Sequence, residues 1–393
     1  MNAQVQLKTV EDVVEQGRVQ TLLEPDNVQT VLENVTQIAK TDLAPLVHDI
    51  DLKGVYPEDV MRALGRAGAY NQHAPMTAAA ANATDAFDLE TAIRAMTHVG
   101  EECLSTAFCV WCQDALAWYI ANSDNETLKR TLGPKITSGE ILGGTGLSNP
   151  MKSLFGIEKL RLKGVRVEGG YEVTGTLPWV SNLGPDHHFG IVFALQDEGE
   201  RKVMAVADCS GAGVKITEND DFVALDGTRT FAIQLRKAFI PTDSVLADPI
   251  DDYIPRIRAG FILLQSGMAF GMIRSCIDLM EQAGQTLSHV NCHLPDQPED
   301  FRAQLAEMEQ EVFELAKTPF DTSKEYFIRV IKARLAAGDA SVAAAHNAML
   351  HCGARGYVRR GAAQRKLREA YFVAIVTPAT KQLRKMLADF GAD

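Results

Sequence analysis

The spacing of apolar residues changes period twice along the chain. Up to about residue 140 they recur every three or four positions, the mark of helices with one buried face. The run VQTVLENVTQIAKTDLAPLVHDID, residues 28–51, keeps this spacing until Pro45 and predicts a helix interrupted there. Pro57 precedes Glu58 and Asp59, so PEDVMRALGRAGA reads as a new helix with proline and acids at its start. Leu89 to Val99 and Leu104 to Asn122 supply two more apolar helices, and Asn125 opens a short one that Gly133-Pro134 stops. From Glu140 the period becomes 2: KLRLKGVRV and YEVTGTLPWV flank Gly169-Gly170 as a hairpin, and HFGIVFAL, KVMAVAD, GVKITE and FAIQLRKAFI continue as strands. From about Asp252 the helical period returns in four long runs: 256–283, 301–320, 324–352 and 364–390.

These periods predict an α+β chain: an N-terminal helical domain over 1–139, a middle antiparallel β-barrel or sandwich domain over 140–250, and a C-terminal four-helix bundle over 251–393. One stretch sits between the two helical halves and organises the rest. Gly143 to Asn182 is glycine-punctuated and β-rich, and ends in Trp179-Val-Ser-Asn182, which by itself reads as a core tryptophan followed by a turn at Ser181, with a wall that faces a flat aromatic ligand as the alternative.

Composition narrows the functional classes. The chain has 393 residues, of which 46% are hydrophobic and 23% charged, the profile of an ordinary globular protein. A net charge of −12 argues against nucleic-acid or acidic-membrane partners, which need clustered Lys and Arg. Basic residues gather only near Arg355 to Arg368, where Arg359, Arg360, Arg365 and Arg368 read as subunit salt bridges or a solvated face, with a phosphate anchor as the alternative. No run of 18 apolar residues and no apolar leader core is found, so a cytoplasmic location with no membrane partner is expected.

Seven cysteines in a chain of this length do not make a disulfide framework. Cys109 and Cys112 form a CxxC inside an apolar helical run, LSTAFCVWCQDALAWYIAN, and read as buried thiols. His289 and His293 are four apart, but Pro295 and Pro298 follow at once and no acidic ligand stands at helical spacing, so no metal is expected. His187-His188 follows Gly184-Pro185-Asp186, a turn leading into a strand.

Taken together, several motifs resemble the acyl-CoA dehydrogenase superfamily along nearly the whole chain. Leu128 to Glu140, LKRTLGPKITSGE, is similar to the family's K-x-x-x-L-P-x-L-x-x-G-E segment. Gly143 to Pro150 resembles its flavin-side strand, with Ser148-Asn149-Pro150 where Thr-Glu-Pro is usual, and Trp179-Val-Ser-Asn182 resembles Trp-Ile-Thr/Ser-Asn. Gly353-Ala-Arg-Gly356-Tyr357, Arg365 and Arg368-Glu369-Ala370 match the family's Gly-Gly-x-Gly-Tyr, Arg and Arg-Asp-Ala tract.

The resemblance implies FAD between the β domain and the C-terminal bundle, with FMN or no flavin as alternatives. It implies Leu147, Ser148, Trp179, Ser181, Gly353 and Gly356 as cofactor-binding residues: Trp179 gives the ring an apolar face, and Leu147, Ser148 and Ser181 give backbone or hydroxyl groups to its polar edge. It also implies a small-molecule substrate such as an acyl-CoA and a homo-oligomer, dimer or tetramer, with a hetero-oligomer as the alternative.

Two departures matter for chemistry. The family's dehydrogenases take the α-proton of a thioester with a Glu, and that position here is Thr377. Threonine cannot act as this base at neutral pH, so the catalytic residue is unknown. On the first bundle helix, the family's other location for the base, no acid lies between Asp252 and Asp278. The expected function is a flavin-dependent oxidoreductase acting on an acyl-CoA or related acyl substrate with an altered base; the alternatives are a flavin monooxygenase or oxidase on the same fold, or a non-redox or non-catalytic subunit.

Overall fold

A computed structural model describes residues 25–74, 87–199, 201–219 and 222–392. The leader reading, which rests on the first residues, and the Ala-, Asn- and Thr-rich stretch 75–86, expected from sequence as a loop, lie outside the described residues. The first helical run forms α1 (Pro25–Ile38) and α2 (Val47–Lys53), joined by a π turn and a 3-10 turn across Pro45. Proline lacks the N–H an unbroken helix needs, and the ladder is re-spaced around it. Next come α3 (Glu58–Arg66), α4 (Leu89–Glu102), α5 (Leu104–Ala121) and α6 (Glu126–Thr131). The Asn125 side chain accepts the Leu128 N–H and so caps α6. The short helix α6 stops just before Gly133-Pro134, as expected, but the pair also opens a further turn of helix. This turn is α7 (Gly133–Thr137); proline fits the first turn of a helix, where its missing N–H has no partner to lose.

Among the described residues the middle region holds eight strands: β1 (Gly143–Thr145), β2 (Lys163–Val167), β3 (Gly170–Val180), β4 (His188–Leu195), β5 (Lys202–Asp208), β6 (Val214–Glu218), β7 (Phe231–Pro241) and β8 (Val245–Ala247). The sheet runs β6-β7-β3-β2-β4-β5-β8, with β1 beside β4. The β2–β3 hairpin closes at Val167↔Gly170, as the glycine pair predicts, while β4 takes β1 and β2 in parallel. Alternating residues such as Val173, Phe189, Ile191, Phe193, Ile233 and Leu235 bury a core of their own inside the sheet.

Gly143 to Pro150 is not one strand. Only β1 is extended, and α8 (Ser148–Leu154) follows at once. Asn149 anchors this helix by accepting the Arg161 N–H at 2.9 Å and donating to the Lys159 carbonyl at 3.0 Å.

The C-terminal half contains α9 (Tyr253–Leu264), α10 (Ser266–Asn291), α11 (Pro298–Ala316), α12 (Lys324–Cys352), α13 (Ala362–Ile375) and α14 (Thr380–Phe390). Two of the four expected helices are therefore divided, the first at Gln265 and the last at Val376 to Ala379, where Pro378 forces the preceding backbone out of helical geometry. The stretch Tyr253–Asn291 has an apolar window of mean hydropathy 1.3 that is 89% buried inside the molecule, the burial of a core helix.

The two helical halves share one core, in which Ile93 and Met96 sit with Met268, Phe270 and Ile273. Helices α4 and α10 cross on glycine: a Cβ at Gly267 would lie 2.8 Å from the Ile93 carbonyl oxygen, and one at Gly271 would overlap the Thr97 carbonyl. The C-terminus of α4 is capped from α13, where the buried Lys366 ammonium donates to Gly100 and Glu101 carbonyls at 3.1 and 3.0 Å and Arg365 donates to Glu102.

Candidate functional site

A cavity of about 840 Å³ opens where the sheet meets both helical halves. Its apolar wall is built on α5, which is buried along its full length and turns Phe108 and Trp111 toward the space. Phe261 from α9 and Phe372 from α13 extend this wall, and Trp111 packs on Phe261 with ring centroids 5.1 Å apart. Opposite stands the end of β3, where Trp179 is 55% exposed. Buried tryptophans satisfy their N–H inside the fold, as Trp118 does on the Ile257 carbonyl at 2.9 Å. Trp179 instead holds an open indole face to the cavity.

The turn after Trp179 is locked from both sides. Asn182 is fully buried at a positive φ of 61°, donates to the Gly143 carbonyl at 2.6 Å and accepts from the Tyr56 hydroxyl at 2.6 Å. One side chain thus ties β1, the end of β3 and the chain before α3 together. His187 sits behind this turn, its Nδ1 donating to the Asn182 carbonyl at 2.9 Å, and its burial holds it neutral by pushing its pKa below the usual value. Gly143 and Gly144 make the seam possible. A Cβ at Gly144 would overlap the Ser181 carbonyl oxygen and one at Gly143 the His188 carbonyl, so these glycines serve close packing of chain on chain.

Two groups of hydroxyls line the polar side. Ser181 Oγ lies 2.6 Å from Thr230 Oγ1, Thr230 Oγ1 lies 2.7 Å from Thr228 Oγ1, and Thr228 donates to the Leu225 carbonyl at 2.7 Å. This loop is strapped down: Arg368 donates to the Val223 carbonyl at 2.9 Å and pairs with Asp51 at 2.6 Å, while Arg229 pairs with Glu58 and stacks over Tyr56. The second group joins the sheet side to the bundle. Ser148 Oγ lies 2.9 Å from Thr377 Oγ1, and the Thr377 carbonyl accepts from Gln265 Nε2 at 2.8 Å. Arg334, buried in α12, donates to Gln265 Oε1 at 2.7 Å and to the Val373 carbonyl.

Four of the residues expected from sequence therefore meet at one cavity: Ser148, Trp179, Ser181 and Thr377. Leu147 is 2% exposed and its side chain packs into the helical core behind the wall. Gly353 and Gly356 lie beyond the end of α12, away from the cavity lining. Local packing accounts for Gly356, since a Cβ there would lie 2.9 Å from Cys352 Cβ; Gly353 takes φ +57° at the helix terminus. Sequence reasoning missed Thr228 and Thr230, whose loop carries no periodic pattern, and the aromatic face of α5, which a helix apolar on every side could have signalled. Cys109 and Cys112 are buried thiols whose pKa values burial raises. Among the described residues lining the cavity the one carboxylate is Asp339, which pairs with Arg384 at 3.0 Å.

Comparison with known proteins agrees with this architecture. Residues 25–140 match the family model described as acyl-CoA dehydrogenase, N-terminal domain. The mitochondrial isovaleryl-CoA dehydrogenase of Solanum tuberosum is 23% identical, covering 93% of this chain and 90% of that protein. Among solved structures, the butyryl-CoA dehydrogenase of Megasphaera elsdenii superposes with a TM-score of 0.80 at 15% identity, covering 94% of this chain and 98% of that one. The dibenzothiophene monooxygenase of Paenibacillus sp. A11-2 does so with a TM-score of 0.76 at 15% identity, over 92% and 97% of the two chains. Residues 25–140 thus match the acyl-CoA dehydrogenase N-terminal domain, and along nearly its full length the chain is similar to acyl-CoA dehydrogenases and shares their three-part fold.

Proposed function

We propose that this protein is a flavin-dependent oxidoreductase whose chemistry does not run through the carboxylate base of the family's thioester dehydrogenases. The observation that carries this reading is the state of position 377. Its hydroxyl is engaged with Ser148 and its carbonyl with Gln265, so the place of a base holds a clamp between the sheet and the bundle. Asp339 is held in an ion pair at the cavity edge. A reaction that needs no proton abstraction at that point suits such a cavity, and oxygen-using oxidation of an apolar substrate is the form we favour. A fold shared with a monooxygenase supports it.

The residues present fit a flavin ring. Trp179 supplies an open flat face, and Thr145, Ser181 and Thr230 supply polar groups beside an apolar wall that excludes water. A bound flavin would supply two-electron transfer and, once reduced, activation of dioxygen. Of this chain's own residues, Phe108, Trp111 and Phe261 would hold an apolar substrate, and the Ser148–Thr377 contact would set the gap between the two walls. The ring-level contacts suit FMN as well as FAD, because Gly353 and Gly356 stand apart from the cavity. A second reading, acyl-CoA dehydrogenation with another base, draws on the relatives' names and on Asp339.

The test is the cofactor content of the purified protein, followed by reduction. A bound flavin that no acyl-CoA bleaches under argon, but that supports oxygen-dependent product formation with an NADH-fed flavin reductase, is the expected result. Anaerobic bleaching by an acyl-CoA would establish the second reading instead, and a colourless protein that takes up no added flavin would end both.

A further inference from the structure

The hydroxyls of Ser181, Thr230 and Thr228 form a chain whose direction is fixed at one end. The Leu225 carbonyl can only accept, and Thr228 has a single hydroxyl proton, directed at that oxygen at 2.7 Å. The 2.7 Å contact between Thr228 and Thr230 is then a hydrogen bond only if Thr230 donates. Thr230 in turn has no proton left, so its 2.6 Å contact with Ser181 requires Ser181 to donate. Thr228 is 1% and Ser181 7% exposed, while Thr230 between them is half-buried at the cavity wall, so the order is set from the buried Leu225 end, and serial hydroxyl bonds in such surroundings reinforce one another. The loop that fixes the chain's end is itself braced by Arg368 and Arg229.

We infer that Ser181 faces the cavity as an acceptor only, and that this wall selects a ligand edge that carries an N–H donor. Its proton is directed away along the wall, and its remaining lone pairs are what a ligand meets. The inference rests on the flavin reading and sharpens it. The O4 and N5 edge of an oxidised flavin ring accepts hydrogen bonds, but the Ser181 hydroxyl cannot donate one to it while the chain is intact. A flavin held here would, on two-electron reduction, carry a proton at N5 and so present Ser181 with a donor in place of an acceptor. Ser181 therefore binds the reduced ring more tightly than the oxidised one, and the three hydroxyls act as positioning residues that tune the cofactor rather than touch the substrate.

The experiment compares binding of FAD and of dithionite-reduced FAD, under argon, to wild type, Thr230→Val and Thr230→Ser, together with the midpoint potential of the bound flavin. Valine removes the acceptor for the Ser181 proton and frees that hydroxyl to turn and donate to the oxidised ring. The ratio of reduced to oxidised affinity should fall by about tenfold in Thr230→Val, the scale of one hydrogen bond, which for a two-electron couple lowers the midpoint by about 30 mV. Thr230→Ser should restore the wild-type ratio. If Thr230→Val does not fold, Thr228→Val, which cuts the chain at its far end, should lower the ratio in the same direction. A ratio within about twofold of wild type in the folded valine variant, or a rise in it, would overturn the inference while leaving flavin binding intact. Wild type that binds neither form would bring down both the inference and the flavin reading.

Discussion

At the scale of single residues, what distinguishes this cavity is which side chains are left open. Trp179→Ala removes the flat face, and the loss of aromatic stacking and apolar contact should weaken flavin binding at least about tenfold, read by titration with FAD; unchanged affinity would remove Trp179 from the site. A second pair lies on the other side of α5. His73 is fully buried, stacked on Trp118, and donates from Nε2 to the Asp114 backbone carbonyl at 2.9 Å; Asp114 Oδ1 lies 3.7 Å from the same nitrogen, and among the described residues neither Asp114 carboxyl oxygen has a hydrogen-bond partner. Burial raises the Asp114 pKa well above 3.8 and pushes His73 down to about 4. The two have opposite slopes. Folded Asp114 keeps a proton that the unfolded chain releases, so its contribution to stability falls as pH rises above 3.8. Unfolded His73 takes up a proton first, so its contribution is lost as pH falls from 6.5 to about 4. Asp114→Asn should therefore stabilise the protein at pH 8 more than at pH 4, measured as urea midpoints, and a gain independent of pH would contradict a protonated Asp114. Tyr70 and Cys112 also face this group, and burial keeps both neutral over this range.

At the scale of elements, glycine divides into positions that permit contact and positions that do not matter. Gly144→Ala would drive a methyl into the Ser181 carbonyl where β1 meets the turn, and should destabilise by about 3 kcal/mol and loosen flavin together. Gly284, inside α10, has nothing within 4 Å of an added Cβ, so Gly284→Ala should stabilise by about 0.5–1 kcal/mol through helix propensity and a less flexible unfolded chain. Urea midpoints of both variants separate these outcomes. The same scale shows what periodicity can and cannot reveal. Helices α4, α5, α11 and α12 and the β2–β3 hairpin were legible because each has a long pattern or a glycine-pair turn. Helix α8 was not, because seven residues give barely two turns and its stability comes from Asn149 bonding to Lys159 and Arg161 further along the chain. The division at Gln265 was hidden for a similar reason: the residue turns inward to bind Thr377 and Arg334, far off in sequence.

At the scale of the whole molecule, the order helical, sheet, helical was readable, while the fusion of both helical halves into one core was not. That fusion depends on Gly100 meeting Gly271 and on Lys366 reaching the end of α4, contacts between residues more than 150 positions apart. Trp111 and Trp118 both donate to α9, at the Phe261 and Ile257 carbonyls, so their emission reports the docking of one half on the other. Unfolding followed by buried-tryptophan fluorescence and by far-UV circular dichroism should coincide in one transition; separated midpoints would mean that the halves unfold independently. The cavity was the least legible part. Ser148 and Thr377, 229 residues apart, meet only in the fold, and the loop carrying Thr228 and Thr230 gives no pattern to read. The tryptophans also divide by environment: two are sealed in the helical core, at 3% and 0% exposure, and the third, Trp179, stands open at 55%. An aqueous quencher such as iodide will therefore reach one emitter of three, the red-shifted one, and whatever fills the cavity will shield that emitter alone. The molecule thus carries its own optical gauge of occupancy, readable with any candidate ligand before its chemistry is known.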